Sequence, residues 1–274
     1  MSTHDLFPAR APTRIRVGIG GWTYAPWRNN FYPHKLVQRR ELEYASRHLT
    51  SIEVNGTYYG AQKPATYAKW RDETPDGFVF SLKAPRHVTE RARLADAGGA
   101  IDAFVRGGLS ELGDRLGPIN WQFAKGRPFE GDDFAAFLDR LPDTLDGARL
   151  RHVVEVRDAS FLCADFLDLV RARRVATVFT DSTEYPSFAD LGADFVYARL
   201  MGSQAQLESG YAPATLDAWA QRVRLWADGG DPADLPHVAA PRATAKPRDV
   251  YVYFISAAKE RNPAAAMALI ERLR

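Results

Sequence analysis

The sequence is expected to fold as a single-domain α/β protein, a (β/α)8 TIM barrel. Three observations predict it. Short apolar runs alternate with longer helical patterns, eight such runs fit within about 250 residues, and the strands begin apolar and end polar. The candidate strands are 15–21 (IRVGIGG), 51–57 (SIEVNGT), 78–83 (FVFSLK), 118–123 (PINWQF), 152–157 (HVVEVR), 175–181 (VATVFTD), 195–200 (FVYARL) and 250–255 (VYVYFI). Helical patterns lie near 38–48, 64–72, 97–115, 131–140, 161–173, 213–228 and 263–273. A doubly wound open sheet is the alternative that the same alternation allows. Between Ser182 and Asp194 there is little room for a helix, so the crossover after strand 6 is expected to be degenerate. Residues 229–249 are rich in Pro and Ala and lack periodicity, which predicts a mobile surface insertion before strand 8.

Composition narrows the class. Hydrophobic residues make up 46% and charged residues 26%, the balance of a soluble globular protein. A net charge of +2 is too small to argue by itself for a nucleic-acid or membrane partner. A single cysteine, Cys163, excludes an intrachain disulfide and a multi-cysteine metal site. The opening MSTHDLFPARAPTR has no apolar core and reads as a flexible lead-in over 1–14, which leaves 15–274 as the barrel domain. No apolar run approaches the ~20 residues of a membrane-spanning helix. The expected setting is the cytoplasm, with no membrane partner.

In such a barrel the active site forms at the C-terminal strand ends. There the chain places Glu53 and Asn55 on strand 2, Lys83 with Arg86 after strand 3, and Gln122 on strand 4. Glu155 and Arg157 follow on strand 5, Asp181 on strand 6 and Arg199 on strand 7. Lys, Glu and Arg are rarely enclosed in strands without partners, so six polar strand ends in succession point to a pocket. Lys83, Arg86, Arg157 and Arg199 suit a phosphate or carboxylate, and arginine binds such groups in a forked manner. Glu53, Glu155 and Asp181 are the candidate acid/base residues, as in a hydrolase or lyase. Asn55 and Gln122 are candidates to orient substrate. A purely structural network would instead pair Glu155 with Lys83 and Glu53 with Arg199.

The stretch GWTYAPWRNNFYP holds five aromatics after strand 1. Trp22 and Tyr24 are expected near the pocket, with Trp27, Phe31 and Tyr32 packed away. Of Tyr58 and Tyr59, one is expected to face the pocket and the other the neighbouring helix. The histidines are scattered, and the chain lacks GxGxxG, a Walker A loop, GxSxG and HExxH, so no metal and no cofactor are expected.

The motifs GWTYAPWRNNFYP, SIEVNGTYY, FVFSLKAPRHVT, HVVEVRDASF, TDS, FVYARLMG and VYVYF resemble, in this order, the YecE-like family, the domain of unknown function 72. The resemblance runs from about residue 15 to 270. It implies a TIM barrel, and it brings no established activity with it. The chain departs from the family pattern after strand 8, where Ile255-Ser256-Ala257 replaces the family's usual Asn-Asn-Asp. Ser256, Lys259 and Glu260 are the substitutes at hand. The leading expectation is an enzyme acting on a small anionic molecule. The alternatives are a nucleic-acid-binding or nucleic-acid-processing barrel, for which Trp22, Tyr24 and Tyr58 would stack bases, and a non-catalytic ligand-binding protein.

Overall fold

The computed structural model describes residues 14–244 and 246–274. Eight parallel strands close into a barrel in simple sequential order. They are β1 (Ile15–Gly20), β2 (Ser51–Val54), β3 (Val79–Lys83), β4 (Leu116–Gln122), β5 (His152–Glu155), β6 (Ala176–Thr180), β7 (Phe195–Leu200) and β8 (Asp249–Phe254). The ring closes through β1 and β8, with Ile15 beside Val250 and Ile19 beside Phe254. Helices α1 (Glu41–His48), α2 (Pro64–Asp72), α3 (Arg86–Thr89), α4 (Gly98–Val105), α5 (Gly131–Leu138), α6 (Ala164–Ala172), α7 (Pro213–Ala227) and α8 (Asn262–Leu273) complete the eight. The fold is the (β/α)8 barrel that the alternation predicts. Of the expected lead-in 1–14, all but Arg14 lies outside the described residues.

Alternation along each strand splits the core in two. Ile52, Val54, Phe80, Leu82, Val154 and Leu200 face outward and join the helices in one large apolar cluster. Burial of each such side chain contributes roughly 1.5–3 kcal/mol. A smaller cluster, including Val79, Val153, Val178, Phe195, Tyr197, Tyr251 and Tyr253, fills the barrel itself. Close packing on β1 requires glycine, because a Cβ on Gly18 would stand 1.9 Å from the Ser51 carbonyl oxygen.

Several element ends differ from expectation for local reasons. Strand β2 stops at Val54, and Gly56–Tyr58 forms a 3-10 turn. The Thr57 hydroxyl reaches both the Val54 carbonyl at 3.1 Å and the Lys83 carbonyl at 2.7 Å, which ties the turn to β3. The helical pattern 97–115 breaks after Val105, where Gly108 takes a φ of 117°, and resumes as 3-10 turns over Leu109–Arg115. A hairpin of Thr144–Leu145 and Ala148–Arg149 precedes β5, turned by Asp146-Gly147 with positive φ at both.

No helix occupies residues 181–194 between β6 and β7. In the segment after α7, Asp190 accepts from the Val238 and Ala239 amides at 2.7 and 2.9 Å, and Arg248 donates to the Gly229 and Gly230 carbonyls. These bonds join the described part of the insertion to the helix-free crossover. Among the described residues no helix is long and apolar enough to cross a membrane.

Candidate functional site

The barrel mouth is built in two tiers, because strand residues two apart share a face. The lower tier is neutral. The rings of Tyr197 and Tyr253 lie 5.1 Å apart, and their hydroxyls meet Ser81 and Ser51, each at 2.7 Å. The Ser51 hydroxyl donates to the Val79 carbonyl, so the Tyr253 hydroxyl donates to Ser51.

Two residues further along the same strands stand Glu53, Lys83, Glu155 and Arg199. The Arg199 guanidinium lies between the two carboxylates. Its Nη1 donates to Glu155 Oε2 at 2.6 Å and its Nη2 to Glu53 Oε1 at 3.1 Å, with Nε 3.1 Å from Glu53 Oε2. Tyr197 donates to Glu53 Oε2 at 2.6 Å. Arg157 grips Glu155 Oε1 through Nε and Nη2 at 2.9 and 2.7 Å, and Asn120 donates to Oε2 at 3.2 Å. Every oxygen of both carboxylates thus has a donor. Burial alone would raise the Glu155 pKa, but Arg199, Arg157 and Lys83 outweigh it and hold it at about 2. Burial likewise works against the charge on Arg199, and Glu155 and Glu53 reverse this and raise its pKa.

Lys83 is different. It is 7% exposed, and its Nζ donates to Gln122 Oε1 at 3.0 Å and lies 4.0 Å from the centre of the Tyr58 ring. Among the described residues no carboxylate stands within ion-pair distance of it. Burial first, and Arg199 second, push its pKa down to about 8, against the pull of Glu53 and Glu155. The two carboxylates are therefore consumed by arginines, and the pairing of Glu155 with Lys83 that a structural network predicted is not formed. The other predicted pair, Glu53 with Arg199, is formed.

Above this tier opens a cleft of about 790 Å³, within the range of small-molecule sites. Lys83, Gln122 and Arg199 line it from β3, β4 and β7, and Arg157 from just beyond the end of β5. Trp22, Trp70, Tyr58 and Tyr59 line it from the β1 and β2 side, across the barrel from β5. Trp22 is braced edge-on by Trp70 at 5.2 Å. The loop after β8 adds Ser256, Lys259 and Asn262. Lys259 Nζ sits 4.3 Å over Tyr24, and the Trp27 indole donates to the Lys259 carbonyl at 2.8 Å, so the first loop fixes the last. Among the described residues no Asp or Glu lines this cleft.

The structure brings most of the predicted positions together. Trp22, Asn55, Tyr58, Lys83, Gln122, Arg157 and Arg199 line the cleft, and Glu53 and Glu155 lie buried under their arginines. Tyr24 stands behind Lys259. Arg86 is exposed at the start of α3 and is not part of the lining. Asp181 is also elsewhere. It accepts from the Met201 amide and from the Tyr211 hydroxyl at 2.9 Å, and burial raises its pKa. The three candidate carboxylates do not converge, and among the described residues no group of three or more His, Cys, Asp or Glu could hold a metal ion. Trp27, Phe31 and Tyr32 are buried as expected. Tyr58 and Tyr59 both line the cleft, which corrects the expectation that they divide, because the turn after β2 carries both over the mouth. The reading of strand ends missed Asn120, Tyr197 and Tyr253. A count backwards by two from Gln122, Arg199 and Ile255 finds all three.

Comparison with known proteins agrees with this architecture. The chain is 29% identical to UPF0759 protein YecE of Escherichia coli K12 over 140 residues, 50% of this chain and 48% of that one. It spans about half the length of this curated relative. A DUF72 family protein from Thermotoga maritima superposes with a TM-score of 0.72 at 19% identity, covering 94% of this chain and 98% of that one. D-psicose 3-epimerase, solved in the presence of D-fructose, shares the fold at a TM-score of 0.50 and 11% identity, over 94% and 95% of the two chains. The family described as a protein of unknown function, DUF72, matches residues 16–274, and the chain belongs to that family.

Proposed function

We propose that the protein is an enzyme that takes a small phosphate- or carboxylate-bearing molecule into the barrel mouth. One observation carries this reading: Lys83, Arg157, Arg199 and Lys259 line the cleft, and no described carboxylate does. Two buried carboxylates face three cations in the tier below, so one positive charge is left for a ligand. Glu53 and Glu155 then serve as positioning residues that hold Arg199 and Arg157, in place of the acid/base roles expected from sequence. A carboxylate held at about 2 has little tendency to take a proton at neutral pH. The aromatic side formed by Trp22, Trp70 and Tyr58 would take the uncharged body of the substrate. A cytoplasmic setting goes with this reading, since the one cysteine, Cys163, is free.

A crystal soaked in phosphate tests it. The expected result is an anion in contact with Lys83 and Arg157. Density elsewhere only, at any phosphate concentration the crystal survives, would sink the proposal. Tyr59, 77% exposed beside these cations, also suits a nucleotide base, so a short oligonucleotide belongs in the same series. Tight oligonucleotide binding that fades steeply with salt, without phosphate in the mouth, would favour the nucleic-acid alternative.

A further inference from the structure

We infer that Lys83 is a nucleophilic amine that forms an imine with the carbonyl group of an anionic aldehyde or ketone. This deepens the anion-site reading and rests on it. The geometry carries the inference. Lys83 projects from the end of β3 into the cleft, nine-tenths buried, with no described carboxylate to pair with. Its Nζ makes one side-chain hydrogen bond, to Gln122 Oε1. The other end of the same amide, Gln122 Nε2, is buried and has no hydrogen-bond partner among the described residues. A buried donor left unpaired is costly unless something arrives to meet it. The oxygen of a carbonyl group attacked by Lys83 would lie beside the amine and within reach of that donor.

The surroundings make the neutral amine easier to reach than on a free lysine. Burial first, then Arg199 and Arg157, work against a proton on Lys83, and Glu53 and Glu155, which favour one, are bound to those arginines. Burial and a neighbouring cation are the two means by which an amine becomes nucleophilic near neutral pH. The Tyr58 ring, 4.0 Å from the amine, favours the charged form by cation–π attraction, against burial and Arg199. The same arginines would hold the anionic group of the substrate and so bring its carbonyl carbon to Nζ.

The step balances simply. The Nζ lone pair forms the C–N bond, and the carbonyl π pair moves to oxygen. Oxygen gains a proton and nitrogen loses one, which gives a carbinolamine. Loss of the hydroxyl with the remaining nitrogen proton releases one water and leaves the C=N bond. No oxidant, reductant or metal takes part.

Borohydride trapping is the test. The protein is incubated with pyruvate, the simplest carbonyl compound bearing a carboxylate, reduced with borohydride, digested and mapped by mass spectrometry. Phosphate binding is measured on the same preparation by calorimetry. The expected result is one reduced adduct per chain on Lys83, suppressed by added phosphate and lost in Lys83→Arg. That variant keeps a charge but cannot form the imine, and its circular dichroism shows whether it folds. If Lys83→Arg is unfolded, the mapped site on wild type decides alone. Phosphate binding without an adduct on Lys83, whether with pyruvate or with glycolaldehyde phosphate, would overturn the imine and leave the anion site standing. Neither phosphate binding nor an adduct would overturn both. Labelling spread over surface lysines to the same extent as Lys83 would also contradict the inference.

Discussion

The lower and upper halves of the barrel interior are built from the same strands, two residues apart, and they solve burial in opposite ways. Below, Tyr253 donates to Ser51 and Ser51 to the Val79 carbonyl, a neutral chain among apolar neighbours such as Val153. Above, Arg199 is 3% exposed and lies between Glu53 and Glu155, while Lys83 goes unpaired. A neutral hydroxyl pair costs little to bury once bonded, whereas a buried ion pair rarely stabilises a fold relative to apolar residues. The lower half closes the barrel core, and the upper half is where the proposed ligand site would draw on charge.

The comparison breaks most visibly at Arg199. Arg199→Met leaves Glu53 buried without a cation, while Glu155 keeps Arg157, and we expect a loss of about 3–5 kcal/mol in a denaturant titration. A variant as stable as wild type would mean that the upper tier is dispensable. Lys83→Met tests the same tier with the opposite sign. The amine is a desolvated charge without a counter-ion, and a pKa held at about 8 against an ordinary 10.5 corresponds to roughly 3 kcal/mol. Replacement should therefore stabilise the fold, by about 1–3 kcal/mol, while weakening phosphate binding. Destabilisation would place Lys83 with the structural residues.

The pH dependence follows with its sign. The folded protein releases the Lys83 proton at about 8, below the unfolded value, so its penalty is present below pH 8 and is relieved between about 8 and 10.5. Wild type should gain stability over that window relative to Lys83→Met. Glu155, held at about 2 against 4.5, contributes stability above 4.5 that is lost as pH falls towards 2. Acid unfolding of Glu155→Gln should accordingly lack that component. Smallest is the contrast between tyrosines. Tyr197→Phe removes a donor from Glu53 and should cost about 1.5–3 kcal/mol, and Tyr253→Phe, whose partner Ser51 keeps the Val79 carbonyl, about 1. Equal costs would mean that the bond to the Glu53 carboxylate adds nothing beyond a neutral hydroxyl pair.

Much of this was legible beforehand. The eight strands stand where apolar runs predicted them, and period two places Glu53 and Asn55 with Ser51, and Arg157 with Glu155 and Val153. The same count exposes the weak assignment: Ala176 and Val178 face inward, so Asp181 is out of phase and turns away from the axis. The Asp146-Gly147 hairpin also has a plain signal, a two-residue turn dipeptide, although its strands are only two residues long. Pairing across the mouth was not legible. Which strand-end groups meet depends on the heights of the strands around the closed barrel, and that stagger sets Glu155 against Arg199 instead of Lys83. Of the substitutes named after strand 8, Ser256 and Lys259 line the cleft and Glu260 does not, and the loop that carries them has no period to count.

On the proposed reading the mouth is an anion site in which Lys83 and Lys259 have no carboxylate partner among the described residues, while Arg157 and Arg199 stay bound to Glu155 and Glu53. Calorimetric titration of phosphate at pH 6 to 10, in wild type and in Arg157→Gln, tests it most directly. The account predicts that wild-type affinity falls as pH rises through about 8, as Lys83 loses its proton, and that Arg157→Gln binds at least about tenfold more weakly at every pH. Affinity that is flat across pH 8 and unchanged in Arg157→Gln would contradict it.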